Sequence, residues 1–79
     1  MYTVETGVFD VPTQKEVEIA LDEAFGLEYE VNELYDGYGV LNGISFTIFG
    51  VERNEIKHIR KIEKEFKARD HETDELLWP

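Results

Sequence analysis

The period of the apolar residues in this chain switches three times, and that switching most constrains what it can fold into. From Tyr2 to Phe9 apolar and polar residues alternate, with Tyr2, Val4, Thr6 and Val8 on one side, as in a strand half-buried on one face. Val17, Ala20, Leu21 and Ala24 then recur at helical spacing and form one apolar stripe. Thr13 and Glu16 read as a capping box ahead of that stripe. Gly26 suits the left-handed stop position behind it, with Leu27 placed to fold back on Leu21. The spacing predicts a helix over 14–25. Strict alternation resumes from Leu27 to Asn32, with Leu27, Tyr29 and Val31 facing in and Glu28 and Glu30 facing out.

A glycine-rich stretch follows from Tyr35 to Gly43. Asn42-Gly43 is a strong two-residue hairpin signal, because both positions tolerate positive φ. Asp36-Gly37 is a second candidate turn, and Tyr38 to Leu41 reads either as a short strand or as part of a long loop. Ile44, Phe46 and Ile48 form the buried side of a strand ending near Gly50. Asn54 can cap a second helix running to about Arg69, with Ile56, Ile59, Ile62 and Phe66 along one face. The order β-α-β-(β)-β-α predicts an α+β fold: a small antiparallel sheet of three to four strands with two helices packed on one face. Residues 1–70 read as a single domain and 71–79 as an acidic tail ending in Leu76-Leu77-Trp78-Pro79. That apolar end is expected to fold back, because a core this small needs its large apolar residues.

Seventy-nine residues suffice for one domain. The aromatic fraction of 13% separates the chain from disordered sequences, which are depleted in such residues. With no cysteine there is no disulfide framework, thiolate metal site or cysteine nucleophile. Neither a signal peptide nor an apolar run of about 20 residues is visible, so a cytoplasmic protein with no membrane partner is expected.

No residue pattern points to catalysis, and no enzyme activity, cofactor or metal is expected. His58 falls beside the apolar stripe of the second helix and reads as a structural histidine. His71 sits among Asp70, Glu72 and Asp74, but the spacing lacks the turn glycine and twelve-position ligand set of a calcium loop. Gly37-Tyr38-Gly39 lacks the third glycine and the lysine of a phosphate loop. Ser45, the single serine, has Thr47 where a nucleophile elbow needs glycine.

Charge is more informative. The net charge is −10, but residues 1–52 hold eleven acids and one base, residues 53–69 hold seven bases and three acids, and residues 70–79 hold four acids and no base. The first helix places Glu16, Glu18, Asp22 and Glu23 off its core stripe, with Ile19 near the centre of the outward arc. Glu28, Glu30, Glu33 and Asp36 follow. Asp22 and Glu23 occupy the last turn, where the helix dipole disfavours negative charge. Acids repeated without interleaved bases can occupy a nucleic-acid site on another protein, borrowing the attraction meant for phosphates; the plain alternative is a solvated face. Tyr35 and Tyr38, flanking the loop glycines, can anchor an interface or cap the core edge.

On the second helix Lys57, Arg60, Lys61, Lys64 and Lys67 cluster opposite the apolar stripe. This ridge is an ordinary exposed face, supported by a Glu63–Lys67 pair, or a surface that meets the acidic side of a second copy. In size and charge alone the chain is similar to the small acidic inhibitors that phages encode against host nucleic-acid enzymes, among them anti-CRISPR and anti-restriction proteins. No motif carries that likeness, and it implies no site residue. The expectation is a non-catalytic protein that blocks a basic surface of a nucleic-acid-handling protein or complex without binding nucleic acid itself. The site residues expected are Glu16, Asp22, Glu23, Glu28, Glu30, Glu33 and Asp36, with Tyr35 and Tyr38 as anchors. The alternative is a small structural or regulatory subunit that forms a homodimer or larger assembly through the basic helix.

Overall fold

The computed structural model describes residues 1–25 and 28–79. Its elements are β1 (Tyr2–Glu5), a 3-10 turn (Val11–Thr13) leading into α1 (Gln14–Phe25), β2 (Tyr29–Tyr35), β3 (Leu41–Val51), and a second 3-10 turn (Arg53–Glu55) leading into α2 (Ile56–Glu65). The sheet has three strands in the order β1-β3-β2, with β3 antiparallel to both neighbours. This is the expected α+β fold, in its three-strand form. Phe9, Val17 and Leu21 meet Ile44, Phe46 and Ile48 of β3 and Ile59 and Ile62 of α2 in one core. Phe46 is its pivot, packed edge-on against Phe9 (5.8 Å) and Tyr29 (5.7 Å).

Several local readings are corrected. The hairpin turn lies at 36–40 and not at Asn42-Gly43: Asp36 Oδ1 accepts the Tyr38 and Val40 amides, and Gly39 takes φ +78°. Asn42 and Gly43 belong to β3, where a Cβ on Gly43 would stand 2.4 Å from Val8. That glycine serves close approach to Val8, and no turn is built on it. Thr13 is no cap either. Its amide and its hydroxyl both donate to the Asp10 carbonyl (3.0 and 2.7 Å), so the helical turn starts earlier, with Pro12 in its first positions.

α2 stops at Glu65 and not near Arg69, and its entry runs through the Arg53–Glu55 turn, with the Glu52 amide donating to Glu55 (2.9 Å) and no Asn54 cap. Lys67 takes φ +56° and the Ala68 amide returns to the Glu63 carbonyl (2.8 Å), a left-handed termination without glycine. The Glu63–Lys67 surface pair is therefore not formed. Glu63 is buried at 1% exposure, its Oε2 accepting the Gly7 amide (2.8 Å) and its Oε1 bound by Arg60 (2.8 Å).

Alternation in the first strand breaks at a bulge between Tyr2 and Val4, opposite Gly50 at φ +67°. Tyr2 stands opposite Val51 yet is 49% exposed, while Phe9, bridged to Ile44, is fully buried. The same irregularity returns Val51 to the core side of β3. The proposed stop at Gly26 and the contact of Leu27 with Leu21 lie outside the described residues.

Residues 66–79 dock as a strap along residues 6–9. Arg69 bridges Val8 on one side and Leu76 on the other. Leu77 packs against the core, and the Trp78 indole donates to Glu63 Oε1 (3.4 Å) beneath the Arg60 guanidinium, 5.7 Å from the ring centre. No described helix is long and apolar enough to cross a membrane.

Candidate functional site

The expected acidic array divides in two. On α1, residues four apart share a face, and so do residues seven apart. Glu18 and Asp22 form one pair, directed at β2: the Tyr29 hydroxyl donates to Glu18 Oε1 (3.3 Å). Burial first, and then Glu18 and Asp22, push the Tyr29 phenol above its ordinary value of 10.0. Glu16 and Glu23 form the other pair, on the side facing α2. There Glu23 lines a groove of about 260 Å³ with Ala20, His58, Lys61 and Glu65. Ile19 is exposed between the two pairs.

β2 is an edge strand, and its acids lie on both faces. Opposed residues across a ladder share a face. Tyr29, Val31 and Glu33 face Ile48, Phe46 and Ile44 and so lie on the helix side of the sheet, while Glu30 and Asn32 face Thr47 and Ser45 on the far side. Glu28, opposite Phe49, also falls on the far side. Glu28 and Glu30 therefore face out as expected, whereas Glu33 points to the helix side. Val31, read as inward, is on that side but 36% exposed. Tyr35 and Tyr38 are 59% and 94% exposed, so neither caps the core. Asp36 is exposed but engaged in forming the hairpin turn.

Together Glu18, Asp22, Glu28, Glu30 and Glu33 surround β2. Ion pairs among the described residues join Arg60 to Glu63 and Arg69 to Asp10 and Asp74, and His71 Nε2 stands 3.5 Å from Glu5 Oε2. None of these involves an acid from Glu16 to Asp36. Glu18 is the member that the expected site omits, and its four-residue spacing to Asp22 is the signal that places it there.

The far face of the sheet is polar and internally bonded. Asn32 Nδ2 donates to Thr47 Oγ1 (2.9 Å) and Ser45 Oγ (3.3 Å), and His71 Nε2 meets the Thr6 carbonyl (2.8 Å) beside Glu5 (3.5 Å). Beside it lies a cavity of about 430 Å³ between Leu34, Gly43 and the strap. The ionic groups lining it are already engaged: Arg69 pairs with Asp10 and Asp74, which raises its pKa, and Asp70 accepts the Glu72 and Thr73 amides. Ser45 is buried; its hydroxyl accepts the Asn32 side-chain amide (3.3 Å) and donates to Glu5 Oε2 (3.5 Å), the carboxylate oxygen that His71 Nε2 also meets at 3.5 Å. Among the described residues no group of three or more metal-binding side chains is arranged around a common point.

The basic ridge is also broken up. Arg60 is tied to Glu63 and Trp78, Lys61 lines the groove opposite Glu23, and Lys67 lies beyond the helix end. Lys57 and Lys64 remain on the exposed face of α2. The chain matches no family model, no curated protein and no solved structure.

Proposed function

We propose that this protein is a non-catalytic acidic binder that blocks a basic surface of a nucleic-acid-handling protein or complex, in the manner of phage-encoded anti-CRISPR and anti-restriction inhibitors acting in the host cytoplasm. The observation that carries the proposal is the ring of five carboxylates around the β2 edge, none of them in the ion pairs named above. Charges not already matched within the chain keep their long-range field, which steers and holds a cationic partner. Tyr35 and Tyr38 at the hairpin end add exposed aromatic area beside that field.

Self-association through α2 has less support, because Arg60 and Lys61 of the basic ridge face groups of the same chain. The test is affinity capture from a candidate host, followed by competition. A captured protein that binds nucleic acid, and releases it as this chain is added, supports the proposal. Capture of a partner whose nucleic-acid binding is unchanged by saturating amounts of this chain contradicts it.

A further inference from the structure

We infer that the outer edge of β2 is a strand-addition site for an extended, lysine- or arginine-rich segment of the partner. The inference rests on the acidic-binder reading and gives it a backbone geometry. The Phe49 amide donates to the Glu28 carbonyl at 3.0 Å, so Glu28 and Phe49 are a hydrogen-bonded pair of the antiparallel ladder. Bonded and non-bonded pairs alternate, so Glu30 and Asn32 also turn their amide and carbonyl groups towards β3. The backbone groups of Tyr29, Val31 and Glu33 then point away from the sheet. Among the described residues no strand lies beyond β2. A row of outward donors and acceptors on a seven-residue strand is a template for another extended chain.

Charge selects the occupant. A strand added at this edge runs between Glu28 and Glu30 on one face and Glu33, with Asp22 near Tyr29, on the other. Alternate side chains of the incoming segment meet carboxylates on both faces, and on the helix side they also meet Val31 and Tyr35. A basic segment with apolar residues at alternate positions turns its bases to Glu28 and Glu30 and its apolar side chains to Val31 and Tyr35. A second copy of this chain would bring its own net charge of −10 to the same edge, which disfavours it as the occupant. The opposite edge does not compete: β1 has four residues, and its one acid, Glu5, already meets His71.

The probe is a capped seven-residue peptide alternating lysine and valine, with two controls. One carries the same side chains with alternate backbone nitrogens methylated, so its charge is intact but one edge cannot pair. The other replaces lysine by glutamate. The lysine peptide is expected to bind and to slow hydrogen exchange at the amides of Tyr29, Val31 and Glu33. The methylated peptide is expected to bind about ten- to a hundredfold more weakly, as the loss of two or three hydrogen bonds implies, and the glutamate peptide not at all.

Val31→Pro removes one outward amide without changing charge, at an edge position where proline is tolerated, and should weaken the lysine peptide alone. Equal binding of the methylated and unmethylated peptides would overturn strand addition and leave the acidic-binder reading standing. Equal binding of the lysine and glutamate peptides would overturn both. If Val31→Pro fails to fold, the peptide pair and the exchange pattern on the native chain still decide the matter.

Discussion

Glu63, buried in α2, accepts the backbone amide of Gly7 at 2.8 Å across 56 residues of sequence. The same carboxylate holds Arg60 and Trp78 with its other oxygen, so one side chain joins the first strand segment, the second helix and the C-terminal strap. Truncating it leaves the Gly7 amide buried without a partner, a cost of about 1–3 kcal/mol. Glu63→Ala is therefore expected to lower the urea midpoint by that amount of stability, and Glu63→Gln, which keeps an acceptor, by less. Equal losses for the two variants would mean that packing, and not the hydrogen bond, is what matters there.

Gly7 is required by the same junction. A Cβ at this position would stand 2.3 Å from Leu77 Cδ1 and 2.8 Å from the Arg69 carbonyl oxygen. The leucine can turn away, but the backbone oxygen is fixed by its bond to the Val8 amide at 2.8 Å. Gly7→Ala is expected to cost about 1–3 kcal/mol and to displace the strap. Trp78, the single tryptophan, reports this directly through a red-shifted emission.

The turn after Arg69 carries an acid-sensitive element. Asp70 accepts the Thr73 and Glu72 amides, which hold its carboxyl below the ordinary value of 3.8. A depressed folded pKa contributes stability that is present above the ordinary value and lost as pH falls through the folded one. Docking of the strap, followed by Trp78 emission, is expected to weaken on acidification below about pH 4. Asp70→Asn should loosen the strap at neutral pH and reduce the acid dependence.

Tyr29 gives the opposite sign. Its neutral phenol is favoured by burial first and by Glu18 and Asp22 second. A raised folded pKa contributes stability that is complete below the ordinary value of 10.0 and lost as pH rises through the folded one. Glu18→Gln is expected to lower the ionisation midpoint of the Tyr29 ring followed by NMR. An unchanged midpoint would place Glu18 too far from the ring to act on it, and with it one member of the acidic group at β2.

Where period alone decides the outcome, sequence and structure coincide: the 14–25 helix matches α1, and Ile44, Phe46 and Ile48 face the core. The differences arise where a tertiary contact outweighs a local signal. Asn42-Gly43 has the composition of a hairpin turn, yet Val8 packs where the Gly43 side chain would be, and Asp36 organises the turn through its carboxylate. Glu63 reads as a surface acid because acids usually are, although at 100° per residue it falls about 40° from Ile59, inside the apolar arc. The site was legible as composition but not as grouping. Spacing on α1 separates Glu18 and Asp22 from Glu16 and Glu23, but only the structure makes β2 an edge and carries it through Tyr35, where alternation puts Glu33 on the face opposite Glu28 and Glu30.

The salt dependence of partner binding tests the central claim most directly. With a captured partner in hand, the affinity of the native chain is measured from low to high salt beside that of a Glu28→Gln, Glu30→Gln, Glu33→Gln triple variant. The account predicts a steep fall in affinity with salt for the native chain and a weaker, shallower dependence for the variant, because screening removes the attraction those carboxylates supply. An affinity that barely changes with salt, or one that the triple substitution leaves intact, would contradict it.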